Sequence, residues 1–212
     1  MRLELLWYGN GEAYDGGMSA QHIPRMSLAE FLEMEEQAEC KSEFWDGQML
    51  AMSGGTFNHA RIGTNLIHRL SNALENSPCQ VINSELLVQA APGELVAYPD
   101  LTVICGEIQF VPPKELVATN PTLIIEVLSP STELRDRGEK SAAYRRSESL
   151  RQYVLVESRI PHIEVYTKSD NGIWFLRDWD GLEGVCEFAS INCRVPMSEI
   201  YDKARFTDTQ TG

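Results

Sequence analysis

The sequence of 212 residues contains few cysteines, few basic side chains and no long apolar run. Its five cysteines are odd in number and form no Cys-x-x-Cys pair, so neither a disulfide framework nor a zinc site is predicted. No apolar stretch has the length of a signal-peptide core or a membrane span, and we therefore expect a cytoplasmic protein with no membrane partner. Fifteen glycines and ten prolines are too few for a collagen-like or low-complexity chain.

Basic residues number 18 against 31 acidic ones, which gives a formal net charge of -13. This balance disfavours nucleic-acid binding in general, because phosphate binding usually needs a basic surface. One segment differs, because residues 135–151 contain six basic and three acidic side chains. The segment is either a strip that binds a phosphate chain or an ordinary solvated helix face, and the sequence leaves both interpretations open.

Apolar residues make up 43% of the chain, which is enough for one packed core, and the length fits one domain. Glycines near the start predict a flexible leader over residues 1–22, and the polar end predicts a frayed tail over residues 206–212. Residues 23–205 are expected to form a single α/β domain of the α+β type, with helices packed on a mixed sheet.

The hydrophobic periodicity predicts the elements of this domain. Ser27 and Glu30 form a capping-box signature for the first helix, and Asp46-Gly47 predicts the turn of a hairpin. The predicted helices cover residues 27–37, 57–75 and 137–147. The predicted strands cover the hairpin 41–52 and residues 80–89, 98–105, 122–128, 153–156, 163–166 and 174–177, and a short strand and helix follow.

The segment PTLIIEVLSP at residues 121–130 is the most informative of the chain. It is apolar on both alternating faces, as a central strand is, and this places Glu126 inside the sheet. Burial of an unpaired carboxylate costs roughly several kcal/mol, so the fold must supply a metal, a proton or a cation. The alternative to a metal site is a structural ion pair with an arginine.

Asp100 follows Pro99 at the start of another strand-like run, residues 98–105. If this strand pairs with the strand of Glu126, the two carboxylates converge on one point. Two carboxylates at close range repel each other unless a divalent cation neutralises them. Oxygen ligands of this kind favour Mg²⁺ or Mn²⁺.

Lys140 is the candidate cation of the same site. Asp136 and Glu139 resemble a helix-capping pair, which would place Lys140 in or just beyond the first turn of a helix. Lys140 shares a helical face with Ala143 and Tyr144, so it is predicted to point inward, toward an acidic site. The alternative is a surface lysine that extends to solvent along its apolar stem.

Glu43 and His59 are further candidates. Glu43 lies in the first strand of the hairpin, where it is either another acidic group of the site or an ordinary edge-strand charge. His59 begins the long helix on the face of Leu66 and Leu70, so it points inward, either as a ligand or as a hydrogen-bonded core residue.

Taken in order, these motifs resemble the restriction-endonuclease family of short bacterial proteins within the PD-(D/E)XK nuclease superfamily. The likeness covers residues 27–166, well over half of the chain. The segments that carry it are SEFWDG at 42–47, Asn58-His59, Pro99-Asp100, IIEVLSPST at 124–132, DRGEK at 136–140 with Tyr144 following, and RQYVLV at 151–156.

The resemblance implies an αβββαβ nuclease core with additional C-terminal strands. It also implies metal binding by Asp100 and Glu126, helped by the main-chain carbonyl of Val127. One position departs from the superfamily pattern, because the lysine expected two residues after the glutamate is Leu128 here. Lys140, on the following helix, is the candidate that replaces it.

The resulting hypothesis is a Mg²⁺- or Mn²⁺-dependent endonuclease that hydrolyses DNA phosphodiester bonds, and a homodimer would bring two sites to two strands. Two other interpretations remain: a catalytically inactive nuclease fold that serves as a binding or interaction module, and a nuclease that acts on RNA. The predicted catalytic set is Asp100, Glu126, Lys140 and Glu43, and the predicted metal ligands are Asp100, Glu126, Val127 and His59.

Overall fold

The computed structural model describes residues 25–52 and 54–206. The predicted leader over residues 1–22, and the predicted tail beyond Phe206, lie outside the described residues. The helices are α1 (Leu28–Glu35), α2 (Phe57–Ala73), α3 (Glu133–Arg135), α4 (Ser141–Tyr144) and α5 (Met197–Ile200). A π-helical turn, Asp136–Lys140, joins α3 to α4, and a 3-10 turn covers Ala189–Ile191.

Thirteen strands lie within the described residues, in a five-stranded sheet, a six-stranded sheet and a separate hairpin. In chain order they are β1 (Ser42–Trp45), β2 (Gln48–Ala51), β3 (Cys79–Asn83), β4 (Leu87–Ala91), β5 (Leu95–Ala97), β6 (Leu101–Cys105), β7 (Val117–Ala118), β8 (Leu123–Leu128), β9 (Gln152–Glu157), β10 (His162–Lys168), β11 (Trp174–Asp180), β12 (Val185–Phe188) and β13 (Cys193–Pro196).

The six-stranded sheet has the order β11-β10-β9-β8-β6-β3. Strand β6 pairs antiparallel with both β3 and β8, and β9 pairs parallel with β8. A parallel connection needs a crossover, and the helical segment 133–144 supplies it. With α2 ahead of β3, this is the predicted αβββαβ order in a mixed α+β fold, and β10 to β13 are the additional C-terminal strands.

Helix α2 packs on the six-stranded sheet through its predicted apolar face. Ile62, Leu66 and Leu70 are fully buried there, in a core that also takes in the C-terminal hairpin β12–β13 and α5. No helix within residues 25–52 and 54–206 is long and apolar enough to cross a membrane.

The five-stranded sheet has the order β2-β1-β5-β4-β7. Its hairpin β1–β2 turns at Asp46 and Gly47, whose φ angles of 44° and 80° are the left-handed pair that a two-residue turn requires. Strands β5 and β6 follow one another but belong to different sheets. The connection 98–100 therefore passes from one sheet to the other, and Asp100 lies on it.

The structure differs from the sequence prediction around residues 80–105. The strand expected over residues 80–89 is two strands in different sheets, because a turn at residues 84–86 separates β3 from β4. The side chain of Asn83 accepts a hydrogen bond from the Glu85 N–H at 3.2 Å, which stabilises this turn. The three-residue strand β5 lies ahead of the run predicted over residues 98–105.

The expectation of no disulfide is also corrected. Cys79 lies directly opposite Cys105 in the pairing of β3 with β6, and the two form a disulfide. Counting cysteines could not reveal this pair, since the strand register alone brings the two residues together. Cys40, Cys186 and Cys193 remain as free cysteines.

Candidate active site

A pocket of about 190 Å³ has residues of both sheets in its wall. All the side chains predicted for catalysis are there, together with a fourth carboxylate and a second permanent cation. The acidic and basic lining residues are Glu43, His59, Asp100, Glu126, Arg135, Asp136 and Lys140.

Strand pairing brings Asp100 and Glu126 together. Strands β6 and β8 pair with Leu101 opposite Ile125, so Asp100, one residue before β6, lies level with Glu126. The Asp100 N–H donates to Glu126 Oε2 at 3.3 Å. In return, Asp100 Oδ2 accepts from the Val127 N–H at 2.7 Å. Each carboxylate therefore accepts a hydrogen bond from a backbone N–H at the other acid or directly after it.

Lys140 reaches this pair from the crossover helix. Its ammonium donates to Glu126 Oε1 at 3.2 Å, although the two residues are 14 positions apart in the chain. The same nitrogen lies 2.7 Å from Glu43 Oε1 and 3.3 Å from Asp136 Oδ1. Leu128, which occupies the position expected for the superfamily lysine, is buried in the apolar core instead.

Asp136 is a site residue that the sequence prediction placed wrongly. The helical segment begins at Glu133, so Asp136 is not its cap, and only 2% of its surface is exposed. The pattern held a usable signal, because Asp136 and Tyr144 lie four residues before and after Lys140. Side chains at that spacing share one helical face. Tyr144 donates to Glu126 Oε1 at 3.3 Å.

The electrostatics of the cluster follow from burial. Glu126 is almost fully enclosed, and this burial raises its pKa well above the usual range despite the opposing attraction of Lys140. Burial alone would lower the pKa of Lys140, but the summed attraction of Glu126, Glu43 and Asp136 raises it well above the usual range. Lys140 is thus an ammonium ion that these carboxylates hold in place.

Glu43 contributes from the other sheet. Strand β1 lies between β2 and β5, so Glu43 is not an edge-strand charge. The side chain is buried, and its Oε2 accepts from Arg135 Nη1 at 2.5 Å. Glu43 therefore binds two cations of the crossover segment, Arg135 and Lys140, and ties the two sheets together at the pocket.

His59 lies at the pocket as expected, in the first turn of α2. Its Nε2 is 3.1 Å from Asp100 Oδ2, and this hydrogen bond raises the pKa of His59 against the opposing effect of burial. Gly55 makes room for the ring, since a Cβ on Gly55 would lie 2.6 Å from His59 Nδ1.

The basic segment 135–151 matches neither interpretation offered by the sequence. Arg137 binds Glu133 and Glu164, Arg146 binds Glu94, and Arg145 lies over the ring of Tyr166. Because Arg135 and Lys140 are also paired with acids, most of the positive charge is neutralised within the fold. The segment is neither a free phosphate-binding strip nor simply a solvated face.

The donor set fits a divalent cation that prefers oxygen. The pocket wall contains four carboxylates, namely Glu43, Asp100, Glu126 and Asp136, against the permanent cations of Arg135 and Lys140. The carboxyl groups outnumber these cations and are largely buried, so a proton or a metal ion must balance the excess. Carboxylate ligands with an imidazole nearby suit Mg²⁺ or Mn²⁺ rather than a soft metal. Val127 contributes its N–H to Asp100, and the role of its carbonyl stays a prediction.

Comparison with known proteins identifies the family of this chain. The sequence model of a family described as "Putative restriction endonuclease" (Uma2) matches residues 28–183. This match covers most of the chain, and the chain belongs to that family.

Two relatives come from Synechocystis sp. (strain ATCC 27184 / PCC 6803 / Kazusa). "Uncharacterized protein slr1290" is 35% identical over 183 residues, which cover 84% of this chain and 93% of that protein. "Uncharacterized protein sll1609" is 33% identical over 164 residues, which cover 77% of this chain and 93% of that protein. Both are thus similar to this chain over nearly their whole length.

A solved structure has the same architecture. It is described as a "putative nuclease belonging to DUF820" from Anabaena variabilis ATCC 29413. The TM-score is 0.68 at 16% identity, over 83% of this chain and 97% of the other. At this identity the likeness shows the fold, and the predicted restriction-endonuclease-like class is confirmed.

Proposed function

We propose that this chain is a Mg²⁺- or Mn²⁺-dependent endonuclease that hydrolyses phosphodiester bonds in DNA. The observation that carries the proposal is the contact between Glu126 and Lys140, beside Asp100, in one pocket. The superfamily pattern requires two acids and a lysine, and Leu128 left the lysine in question. Lys140 extends from the helical segment 133–144 and contacts Glu126, which supports a site that contains both acids and a lysine.

Asp100 and Glu126 would hold the metal ion, together with the carbonyl of Val127. When bound, Mg²⁺ or Mn²⁺ supplies Lewis-acid polarisation of the phosphate oxygens. His59 would complete or orient the ligand set through its hydrogen bond to Asp100. Glu43 binds the Lys140 ammonium together with Glu126 and so helps to fix its position.

The chemistry assigned to Lys140 follows from its charge and place. In phosphodiester hydrolysis, water adds to phosphorus and one P–O ester bond breaks, leaving a phosphate end and a hydroxyl end. Negative charge grows on the phosphate oxygens as the bonds change. A fixed, buried ammonium group stabilises that charge or orients the water by hydrogen bonding.

The proposal includes three finer statements. The nucleic acid is DNA, two copies of the chain act together so that each cuts one strand, and the protein works in the cytoplasm. The family and the fold support nuclease chemistry in general, and these finer statements extend it.

The test is cleavage of supercoiled plasmid by the purified protein with Mg²⁺ or Mn²⁺. We expect the wild type to nick the plasmid, and Asp100→Ala and Glu126→Gln to lose at least roughly a thousandfold in rate, since metal-supported catalysis is lost. Asp178→Asn, which alters an exposed carboxylate far from the pocket in sequence, is the matched control and should cut as the wild type does.

Equal cutting by all variants would indicate a contaminating nuclease and overturn the proposal. No cutting, combined with no heat of Mn²⁺ binding in calorimetry, would support an inactive binding module instead. Cleavage confined to RNA would keep the reaction and change the substrate.

A further inference from the structure

A second hollow of about 360 Å³ adjoins the candidate active site. It is lined by Thr56, Phe57, Asn58, Pro130, Ser158, Arg159 and Arg205. Two chain segments border both spaces: residues 54–59, which end at His59, and residues 129–132, which follow β8. Because the same two chain segments border both spaces, this hollow is a candidate extension of the site.

An exposed aromatic ring stands in the hollow. Phe57 is the first residue of α2, and 54% of its surface is exposed. Exposure of so large an apolar side chain has a free-energy cost that a buried position would avoid. The ring lines this hollow, and a flat apolar partner bound there would cover it.

A guanidinium group lies against the same ring. The Arg205 Cζ is 4.5 Å from the centre of the Phe57 ring. Among the residues that the structure describes, no carboxylate lies within ion-pair distance of Arg205, and the side chain is exposed. This distinguishes Arg205 from Arg159, which binds Glu133 and Glu157. Within residues 25–52 and 54–206, Arg205 thus offers a positive charge with no acidic partner, in the hollow next to the pocket.

Asn58 fixes the position of Arg205. Its Oδ1 accepts from the Arg205 N–H at 2.8 Å, and its Nδ2 donates to the Arg205 carbonyl at 2.8 Å. The same Nδ2 donates to the Ser158 carbonyl at 2.9 Å. One amide therefore joins the start of α2, the residue after β9 and the C-terminal segment, and it holds the backbone of Arg205 next to Phe57.

We propose that Phe57 and Arg205 form the binding site for one unpaired nucleotide of the DNA strand, beside the bond that is cut. A base stacks on the exposed ring of Phe57, and Arg205 binds the adjoining phosphate. The inference rests on the proposed nuclease function and narrows its substrate to DNA that is single-stranded or opened near the cut.

The chemistry favours an unpaired nucleotide over a duplex. The faces of bases in a duplex are covered by their neighbours, whereas an unpaired base is free to stack on an aromatic side chain. Duplex binding depends on many phosphate contacts, and a chain with a net charge of -13 opposes them. Stacking needs little positive charge, so one ring and one guanidinium suffice for local binding.

The experiment measures binding without divalent metal, so that no cleavage occurs. A short single-stranded DNA carries 2-aminopurine, a base whose fluorescence falls when it stacks. We expect the wild type to quench the fluorescence and Phe57→Ala to weaken binding by roughly 5- to 100-fold and abolish the quenching. Phe175→Ala, which removes a ring of similar exposure (58%) from β11, should change neither quantity.

The cation is tested through the salt dependence. Arg205→Ala should weaken binding and reduce the slope of log affinity against log salt by about 0.7, the value for one phosphate contact on a single strand. Arg194→Ala, which removes an exposed arginine paired with Glu187, should leave the slope unchanged. Asn58→Ala should weaken binding as Arg205→Ala does, and the double variant should add little more, because Asn58 acts through Arg205.

Equal binding by Phe57→Ala and Phe175→Ala would overturn the inference, as would duplex DNA that binds as tightly as the single strand. Preference for the RNA strand of the same sequence would overturn the choice of DNA. The two proposals fail separately. If the protein shows Phe57-dependent stacking but cuts no DNA, the proposed nuclease function is wrong. If Phe57→Ala cuts single strands at the wild-type rate, the proposed nucleotide-binding site is wrong.

Discussion

Two groups of acidic residues in this protein share residue types and differ in burial. One surrounds Lys140 in the pocket, where only 3% of the surface of Glu126 is exposed. The other lies on β10 and β11, where ligand atoms of His162, Asp178 and Asp180 come within 4.8 Å of one another. The side chain of Asp180 is 79% exposed, and it binds His162 Nδ1 at 2.7 Å.

The difference shows that closeness of acids is not sufficient to define a metal site. Two charges 4 Å apart interact by about 1 kcal/mol in water and about 4 kcal/mol near a protein surface of lower dielectric. In the exposed group, water screens the repulsion between the carboxylates, so no bound metal ion is required. The buried group needs counter-charge, and the fold supplies part of it through Lys140 and Arg135.

The largest expected effect comes from removing that counter-charge. Lys140→Met should lower the free energy of unfolding by about 3–5 kcal/mol, because it leaves Glu43, Glu126 and Asp136 buried without their common cation. Lys114→Met removes an exposed cation paired with Glu36 and should cost at most about 1 kcal/mol. Urea denaturation without metal measures both, and equal losses would contradict the contrast.

The second largest effect should come from metal binding, which we expect at the buried acidic group and not at the exposed one. At a Mn²⁺ concentration 100 times the Kd, the free energy of unfolding should rise by about 2.7 kcal/mol. Glu126→Gln should abolish this increase, and Asp178→Asn should preserve it. The reverse result would place the metal on β10 and β11, and it would remove the basis of the proposed function.

The buried site should also depend on close packing. Gly55→Ala would push a methyl group into the His59 ring and displace its hydrogen bond to Asp100, so we expect cleavage to fall roughly 10-fold. At Gly54 no described atom lies within 4 Å of an added Cβ. Gly54→Ala is thus the matched control, and plasmid cleavage by the two variants at equal rates would show that His59 is dispensable.

The smallest effect is expected in the exposed group. Burial lowers the pKa of His162, but its hydrogen bonds to Asp180 and Glu164 raise it more, so the net shift is upward. A raised folded-state pKa means that His162 stabilises the fold below about pH 6.5, the unfolded value, and that the contribution is lost as pH rises through the folded value.

His162→Gln should therefore lower stability at mildly acidic pH by about a few tenths of a kcal/mol, since solvent screens these pairs. At alkaline pH the variant and the wild type should match. Thermal unfolding across the pH range measures this difference, and a gap that widens toward high pH would show the sign to be wrong.

Much of the fold was predictable because local chemistry specifies it. The capping box of Ser27 and Glu30 forms as expected, and the Asp46-Gly47 turn closes the first hairpin. The hydrophobic periodicity predicted one strand where the structure has two, because the pattern continues across the turn after Asn83. It could not show that β5 and β6 lie in different sheets, because adjacent strands carry no mark of the sheet to which they belong.

The sequence alone determined that Glu126 would be buried in a central strand, since residues on both of its faces are apolar. Asp100, predicted to begin another strand, lies one residue before β6. Only the tertiary structure decided what surrounds Glu126. Strand register placed Asp100 beside it, and the crossover helix, starting earlier than its apparent cap, brought Asp136 and Lys140 into the same pocket. The physical reason is sequence separation. A burial pattern depends on neighbouring residues, whereas the charged side chains that neutralise each other are distant in sequence and meet only when the sheets and helices pack.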